Sequence, residues 1–411
     1  MRNPEATEPE SPEPLDDPPA VRLASGYPPA LLKRRIPRPI FIAAISLGVV
    51  LRFWVCTFGY NYDVTSYVIV AGIVEAGDNV YAETNRYNYG PVWLHVIGLA
   101  SRLAHAWDDE FGFFLLFLTS VLTLTDLALC LLLKRRSGDG VAMFFFLNPV
   151  SIIISGYHRQ FGNLALLMGL MAAGLFDHSA ENRLDSRKWL GMVVLGLSLA
   201  TKHLLFAFPF WLAVKQRRPL HRIVVLIVPA AIFLASFIPY WKSGSQGIID
   251  NVFLYRSFHN APFWFGLMPP LLSSRVPSIL GFLAALVIAG LLFRRLPAFE
   301  SALLYTAVLV VFSPAMANQY LALAMPYVAW FLNPFGIAYA VGATLLLSVS
   351  ADGLAITDSV RLGWILTQGY AIVLTPLFLS LLWIFFHRQM ATIVVRGSRW
   401  FGREIRGLLR T

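Results

Sequence analysis

The sequence predicts an all-α polytopic membrane protein with about 10–12 transmembrane helices, one of them a short hairpin, and a large first extracytoplasmic loop carrying interfacial helices. Three observations predict it. The 411 residues are 57% hydrophobic and only 14% charged, with a mean hydropathy of +0.63, whereas soluble domains carry about 25% charged residues. Apolar runs near 20 residues, each long enough to cross a bilayer, recur along the chain. Basic residues cluster beside those runs, so the net charge of +10 reads as a topology signal and not as a nucleic-acid footprint.

Residues 1–38 open with a tail rich in Pro and Glu, which cannot bury enough apolar surface to fold. Its apolar run starts near Ile40 without a small-residue cleavage pattern, so no cleavable leader is expected. The basic blocks are Lys33-Arg34-Arg35 with Arg38; Lys134-Arg135-Arg136; Arg183, Arg187 and Lys188; Lys215, Arg217, Arg218 and Arg222; Arg294-Arg295; and Arg388 onward. All are placed on the cytoplasmic side, so each interval between them holds an even number of crossings.

Parity then orders the elements of the membrane domain, 39–386. A first span over 39–58 leads out, 59–110 is a long outer loop, and 111–133 returns. Within the loop, 90–107 reads as a helix lying in the outer interface, because a third crossing would put Lys134-Arg135-Arg136 outside. Spans over 140–155 and 163–176 flank an outer turn, GYHRQFG. The stretch 189–214 has basic clusters at both ends and is too short for two full spans. It predicts two half-length helices bent near Thr201-Lys202-His203, in surroundings of protein or a water-filled cavity. A span over 223–241 leads to a second large outer loop, 242–275, and 276–293 returns. Residues 299–313 and 320–333 flank the outer turn SPAMANQY, and 337–350 and 362–386 complete the set. The tail 387–411 carries basic residues at helical spacing, suited to an anionic inner leaflet.

Polar chemistry gathers on the outer side. Asp63 follows the first span, amid Tyr60, Tyr62 and Tyr67; from position alone it is either a helix-flanking carboxylate, in water or paired with Arg52, or a functional acid. The stretch RYNYGPVW sets Arg86, Tyr87 and Tyr89 before a Gly-Pro break. Lys202, with His203, lies near membrane depth at a cost of ~2.5–3.5 kcal/mol on the insertion scale, which a lipid phosphate would offset. His158 and Arg159, in a very short turn, and Arg256 and His259, amid aromatics, suit a phosphate or sugar headgroup. Asp126 reads as a buried, paired carboxylate that holds helices together. Cys56 and Cys130 lie in apolar segments and suggest neither a disulfide framework nor a zinc site. The chain has no Walker loop, no GxGxxG after a strand, no HExxH, no GxSxG and no CxxC, so a nucleotide-sugar donor or a conventional hydrolase is poorly supported. Nor is there an inverted repeat of the kind transporters show.

In order and spacing, these residues resemble the GT-C membrane glycosyltransferases. The similarity is strongest to the mannosyltransferase that adds the first mannose of glycosylphosphatidylinositol anchors and to its bacterial polyprenyl-phosphate-sugar relatives. It runs from about residue 40 to 335. Asn61-Tyr62-Asp63 stands at the family's D-x-D motif. It is followed by Gly77…Tyr81, by Tyr87-Asn88-Tyr89-Gly90-Pro91, by Asp126, by Asn148-Pro149, by Lys202 with Pro209, by FLYRSFHN, and by Gln319-Tyr320. Two positions depart from the family: Asn61 replaces the first acid, and Gly162 stands where bacterial relatives often carry an acid.

The resemblance implies a GT-C-like domain that moves a sugar, mannose by similarity, from a polyprenyl-phosphate donor to a lipid-linked or cell-envelope acceptor with inversion. Asp63 would be the catalytic base. Lys202, His203, His158, Arg159, Arg256 and His259 would bind the donor phosphate. Asn61, Tyr62, Arg86, Tyr87, Tyr89, Gln319 and Tyr320 would shape the acceptor and sugar cleft. Mg2+ or Mn2+ is an optional aid with a thin ligand set. The expected partners are the donor, a lipid or glycan acceptor and membrane lipids, with no nucleic acid. The expected place is a bacterial inner membrane, with the site facing outward and both termini cytoplasmic. A non-catalytic lipid-linked glycan carrier, or a flippase-like protein, is the alternative; it would tolerate Asn at position 63.

Overall fold

The computed structural model describes residues 32, 35–179, 183–255, 275–350, 352–356 and 369–387, and among these the chain is all helix and turn, with no strand. It is a multi-pass membrane protein by length and hydropathy. Three helices are individually long and apolar enough to cross a bilayer: α1 (Arg38–Cys56), α5 (Glu110–Ser137) and α18 (Gly369–His387). Most of the tails 1–38 and 387–411 lies outside the described residues, as do Arg256 and His259.

Between α1 and α5, the long loop expected to carry helices is largely helical: α2 (Tyr62–Glu75), α3 (Val80–Glu83) and α4 (Pro91–Ala104), the last being the helix read over 90–107. Each start has a local cause. Asn79 accepts the Tyr81 amide at 3.1 Å to cap α3, and Gly90-Pro91 places proline at the first turn of α4, where a missing N–H is harmless. Asp109 caps α5, and its last turn carries Lys134, Arg135 and Arg136, so both ends suit the helix dipole.

The span expected over 140–155 is two short helices, α6 (Asp139–Phe146) and α7 (Pro149–Gly156), bent by 50°. Asn148-Pro149 is the cause: Pro149 has no N–H to continue the ladder, and the Asn148 carboxamide caps Val150 at 2.9 Å. Next come α8 (Gly162–Asp177) and α9 (Ser186–Thr201), which pack extensively on each other. After α9 the backbone is extended at Lys202 (φ −152°, ψ 120°), a 3-10 turn covers His203–Leu205, and α10 (Phe208–Ala213) follows. The broken hairpin anticipated near 201–203 is therefore present.

A further break was not anticipated. After α11 (Pro219–Ala235) the chain bends by 88° into α12 (Ile238–Ile248), which ends in a wide π turn, Ile249–Phe253. Side chains at Gly244 and Gly247 would run into Asn79 and Tyr81, so α12 lies backbone to backbone on α3. The remaining helices are α13 (Arg275–Leu292), α14 (Ala298–Phe312), α15 (Tyr320–Leu323), α16 (Met325–Trp330) and α17 (Pro334–Val349). Most are shorter than a bilayer crossing, which explains why fewer single helices than expected pass the length test.

Two cores result. The larger joins α1, the inner half of α5, α6 through α11 and α13 through α18. The smaller is built from α2, α3, α4, the first half of α5, and α12, around Tyr67, Trp93 and Phe161. Beneath the junction lies a charged pair. Arg52 donates to Asp126 at 2.9 Å, to Ser155 at 3.1 Å, and to the carbonyls of Gly48 (2.9 Å) and Phe146 (3.0 Å). Asn163 donates to the other Asp126 oxygen at 2.7 Å. Arg52 thus pairs with Asp126, leaving Asp63 without it, and five helices meet at this pair.

Candidate functional site

The site assembles where α2, the α7–α8 turn and the hairpin break converge. Gly59, with φ +125°, turns the chain out of α1 in a conformation that favours glycine. Asn61 follows in extended backbone, and Asp63 falls in the first turn of α2, where the helix dipole favours a carboxylate.

Three amide and ring groups surround that carboxylate. Gln160 Nε2 donates to Asp63 Oδ2 at 2.5 Å, and Asn61 Nδ2 donates to the same oxygen at 3.3 Å. The Asn61 amide also meets His158 Nδ1 at 2.9 Å. On the far side of Gln160, Lys202 Nζ donates to Oε1 at 3.2 Å. The ammonium lies 4.9 Å from the ring centres of both Tyr89 and Phe161, two cation–π contacts that help hold a buried charge. Carboxylate, amide and cation form one chain of contacts: Asp63, Gln160, Lys202.

Electrostatics separates the groups further. The Asp63 carboxyl lies above the ordinary carboxylate range. Burial raises it, the Lys202 ammonium and the Asn61 amide oppose the rise, and the Asp352 carboxylate adds to it. His158 is pushed down to about 4, first by burial and then by the neighbouring Arg159 charge. It is neutral at pH 7 and adds no positive charge for a phosphate.

Arg159, expected at the donor phosphate, is held largely by the scaffold. It has φ +50° and is fully buried. Its guanidinium donates to the carbonyls of Tyr157 (2.9 Å), Gly59 (3.0 Å) and Cys56 (3.1 Å). Those donors clamp the α7–α8 turn to the α1–α2 connection and are not free for a phosphate. Tyr87 is likewise engaged: it is buried, and its hydroxyl donates to Gly90 O at 2.8 Å. His203 sits beside Lys202 but tilts against Phe233 of α11, 6.2 Å between ring centres.

The remaining cleft candidates fall at two places. Tyr89 and Tyr320 lie within electrostatic reach of the Asp63 carboxylate, and Gln319 directly precedes α15. Tyr62 is exposed and stacks under the Arg86 guanidinium at 4.2 Å. The donor set does not fit a metal. Among the described residues no three His, Cys, Asp or Glu side chains gather as ligands. Gln160 and Asn61 donate to Asp63 and the Lys202 ammonium repels a cation, while among the described residues Asp352 is the one further carboxylate that acts on Asp63.

Sequence reasoning missed Gln160 as a site residue, although its presence in a short polar turn between apolar runs was a usable signal. It also missed Asp352, which stands in a tight turn after α17 and reaches Asp63 only through the fold. No protein-family model matches the chain, and no curated protein matches its sequence. Among solved structures, the chain is similar to the crystal structure of ArnT from Cupriavidus metallidurans bound to undecaprenyl phosphate. The TM-score is 0.48 at 14% identity, over 87% of this chain and 79% of that one.

Proposed function

We propose that this protein is a GT-C-type membrane glycosyltransferase that moves a sugar, mannose by resemblance, from a polyprenyl-phosphate donor to a lipid-linked or cell-envelope acceptor. The observation that carries the reading is the chain of contacts from Asp63 through Gln160 to Lys202, a carboxylate and a buried ammonium linked by a single amide. The ordered motifs around them support it.

In this reading the acceptor hydroxyl attacks the anomeric carbon and Asp63 takes its proton. The bond from that carbon to the phosphate oxygen breaks on the opposite face, so the centre inverts. The polyprenyl phosphate leaves with the bonding pair, and Lys202 stabilises the charge that develops on it. The raised carboxyl of Asp63 makes it a stronger base than an exposed aspartate. Arg256 and His259 complete the phosphate ligands by motif position, Tyr89 and Tyr320 flank the sugar, and Tyr62 with Arg86 meets the acceptor. The loops 59–110 and 242–275 face outward from a bacterial inner membrane, with both tails inside.

The test is transfer from radiolabelled polyprenyl-phosphate-mannose to an acceptor-lipid extract by purified protein in lipid. Wild type transfers, and Asp63→Asn loses ~10²–10⁴-fold, the usual contribution of a general base. Equal transfer by both proteins would remove Asp63 from the role. Donor binding without turnover by either would favour the carrier reading.

A further inference from the structure

Gln160 is 2% exposed and lies between two anchored neighbours. On one side, Arg159 is held in the left-handed region by its three carbonyl partners. On the other, Phe161 stacks flat on Trp93, 4.3 Å between centres at 11°. The backbone of Gln160 is thereby fixed, and its amide is drawn out between opposite charges: Nε2 to Asp63 at 2.5 Å and Oε1 to Lys202 at 3.2 Å.

We propose that Gln160 is a positioning residue: its amide holds Asp63 and Lys202 apart as two working groups instead of letting them close into an ion pair. This rests on the transferase reading above. A buried carboxylate and ammonium attract strongly, and in contact each would neutralise the other. A neutral amide of this length donates at one end and accepts at the other, so it satisfies both charges without joining them. A carboxylate in its place could not donate to Asp63, and an alkyl chain could do neither. The same geometry selects the working oxygen. Among the described residues both side-chain donors to Asp63, from Gln160 and Asn61, reach Oδ2. Oδ1 is then the atom that receives the acceptor proton.

The charged and titratable groups around Asp63 are Lys202, Asp352, Tyr89, Tyr320 and Tyr67, with His158 held through Asn61. A spacer makes opposite predictions for two substitutions. Gln160→Leu keeps the bulk but removes the donor from ionised Asp63, so protonation of Asp63 should persist to higher pH. Gln160→Ala removes the bulk, lets Lys202 close on Asp63, and should move protonation to lower pH while weakening donor affinity. Both should lower kcat by ~10²-fold, the scale expected when reacting groups shift by about 1 Å.

The experiment uses full-length protein in lipid and needs no substrate. Dicyclohexylcarbodiimide modifies protonated carboxyls, and its labelling of Asp63 is followed against pH by mass spectrometry for wild type and both variants. Shifts in opposite directions support the spacer. Unshifted profiles, or equal shifts in both variants, overturn it. If Gln160→Leu does not assemble, Gln160→Glu takes its place; it repels Asp63 and should also move labelling to higher pH. Opposite shifts in a protein that transfers no sugar would sink the transferase reading and leave the spacer standing.

Discussion

At the scale of single residues, Asp63 carries a stability cost that its proposed role explains. Its carboxyl in the folded protein titrates above the ordinary 3.8 because burial outweighs its favourable partners. The folded state therefore binds the proton more tightly than the unfolded chain. Stability falls as pH rises through the window between the two values and stays lowered above it. Asp63→Asn removes the buried charge and keeps an oxygen for Gln160. Thermal unfolding in lipid should show this variant above wild type at pH 7, with the gap closing as pH falls towards 4. A lower midpoint at pH 7 would show that the charge stabilises the fold.

At the scale of elements, the site depends on how closely α4 approaches the end of α9. Gly90 begins α4, and a methyl group there would overlap the Ala200 carbonyl, two residues before Lys202. The same contact sets Tyr89 at 4.9 Å from the ammonium. Gly90→Ala should destabilise by ~1–3 kcal/mol, the usual cost of overpacking, and should lower transfer beyond the loss of folded protein. Gly72, in α2, has open space at its Cβ position and is the control. There alanine should stabilise by about 0.5–1 kcal/mol, because glycine is a poor helix former. Denaturation midpoints and turnover on both variants separate a generic glycine effect from this approach.

At the scale of the whole molecule, the Arg52–Asp126 pair holds the two cores in register. Arg52 comes from α1, Asp126 from α5, Ser155 from α7 and Asn163 from α8, while the Arg52 guanidinium also lies over the Phe146 ring of α6 at 4.1 Å. Every one of these groups is buried. Arg52→Met leaves Asp126 charged and without its cation, and should cost ~3–5 kcal/mol. Adding Asp126→Leu should recover much of that loss, since replacing both partners of a buried pair is often near neutral. A double-mutant cycle on unfolding free energy measures the coupling. Additive losses would mean that the pair contributes nothing as a pair.

Much of this protein was legible along the chain because membrane helices obey local rules. Hydropathy and basic flanks identified the multi-pass helical class, and Lys202 in an apolar run marked the hairpin break. Asn148-Pro149 lies inside the single span read over 140–155, and the bend it causes was visible only in the fold. What remained hidden depends on partners distant in sequence. Gln160 meets Asp63 across 97 positions and Lys202 across 42, and Arg159 reaches Cys56 across 103. In the sequence Arg159 is a cation in a polar turn and Tyr87 is one tyrosine among several. Only packing decides that the first faces carbonyl oxygens and the second a backbone turn. The sequence by itself determined the helical membrane architecture and the residue types available for chemistry, since hydropathy and helix breaking act within a few residues. The tertiary structure decided which charges meet, which are shielded and which are bound to the scaffold, since burial and hydrogen-bond geometry exist only once distant segments are brought together.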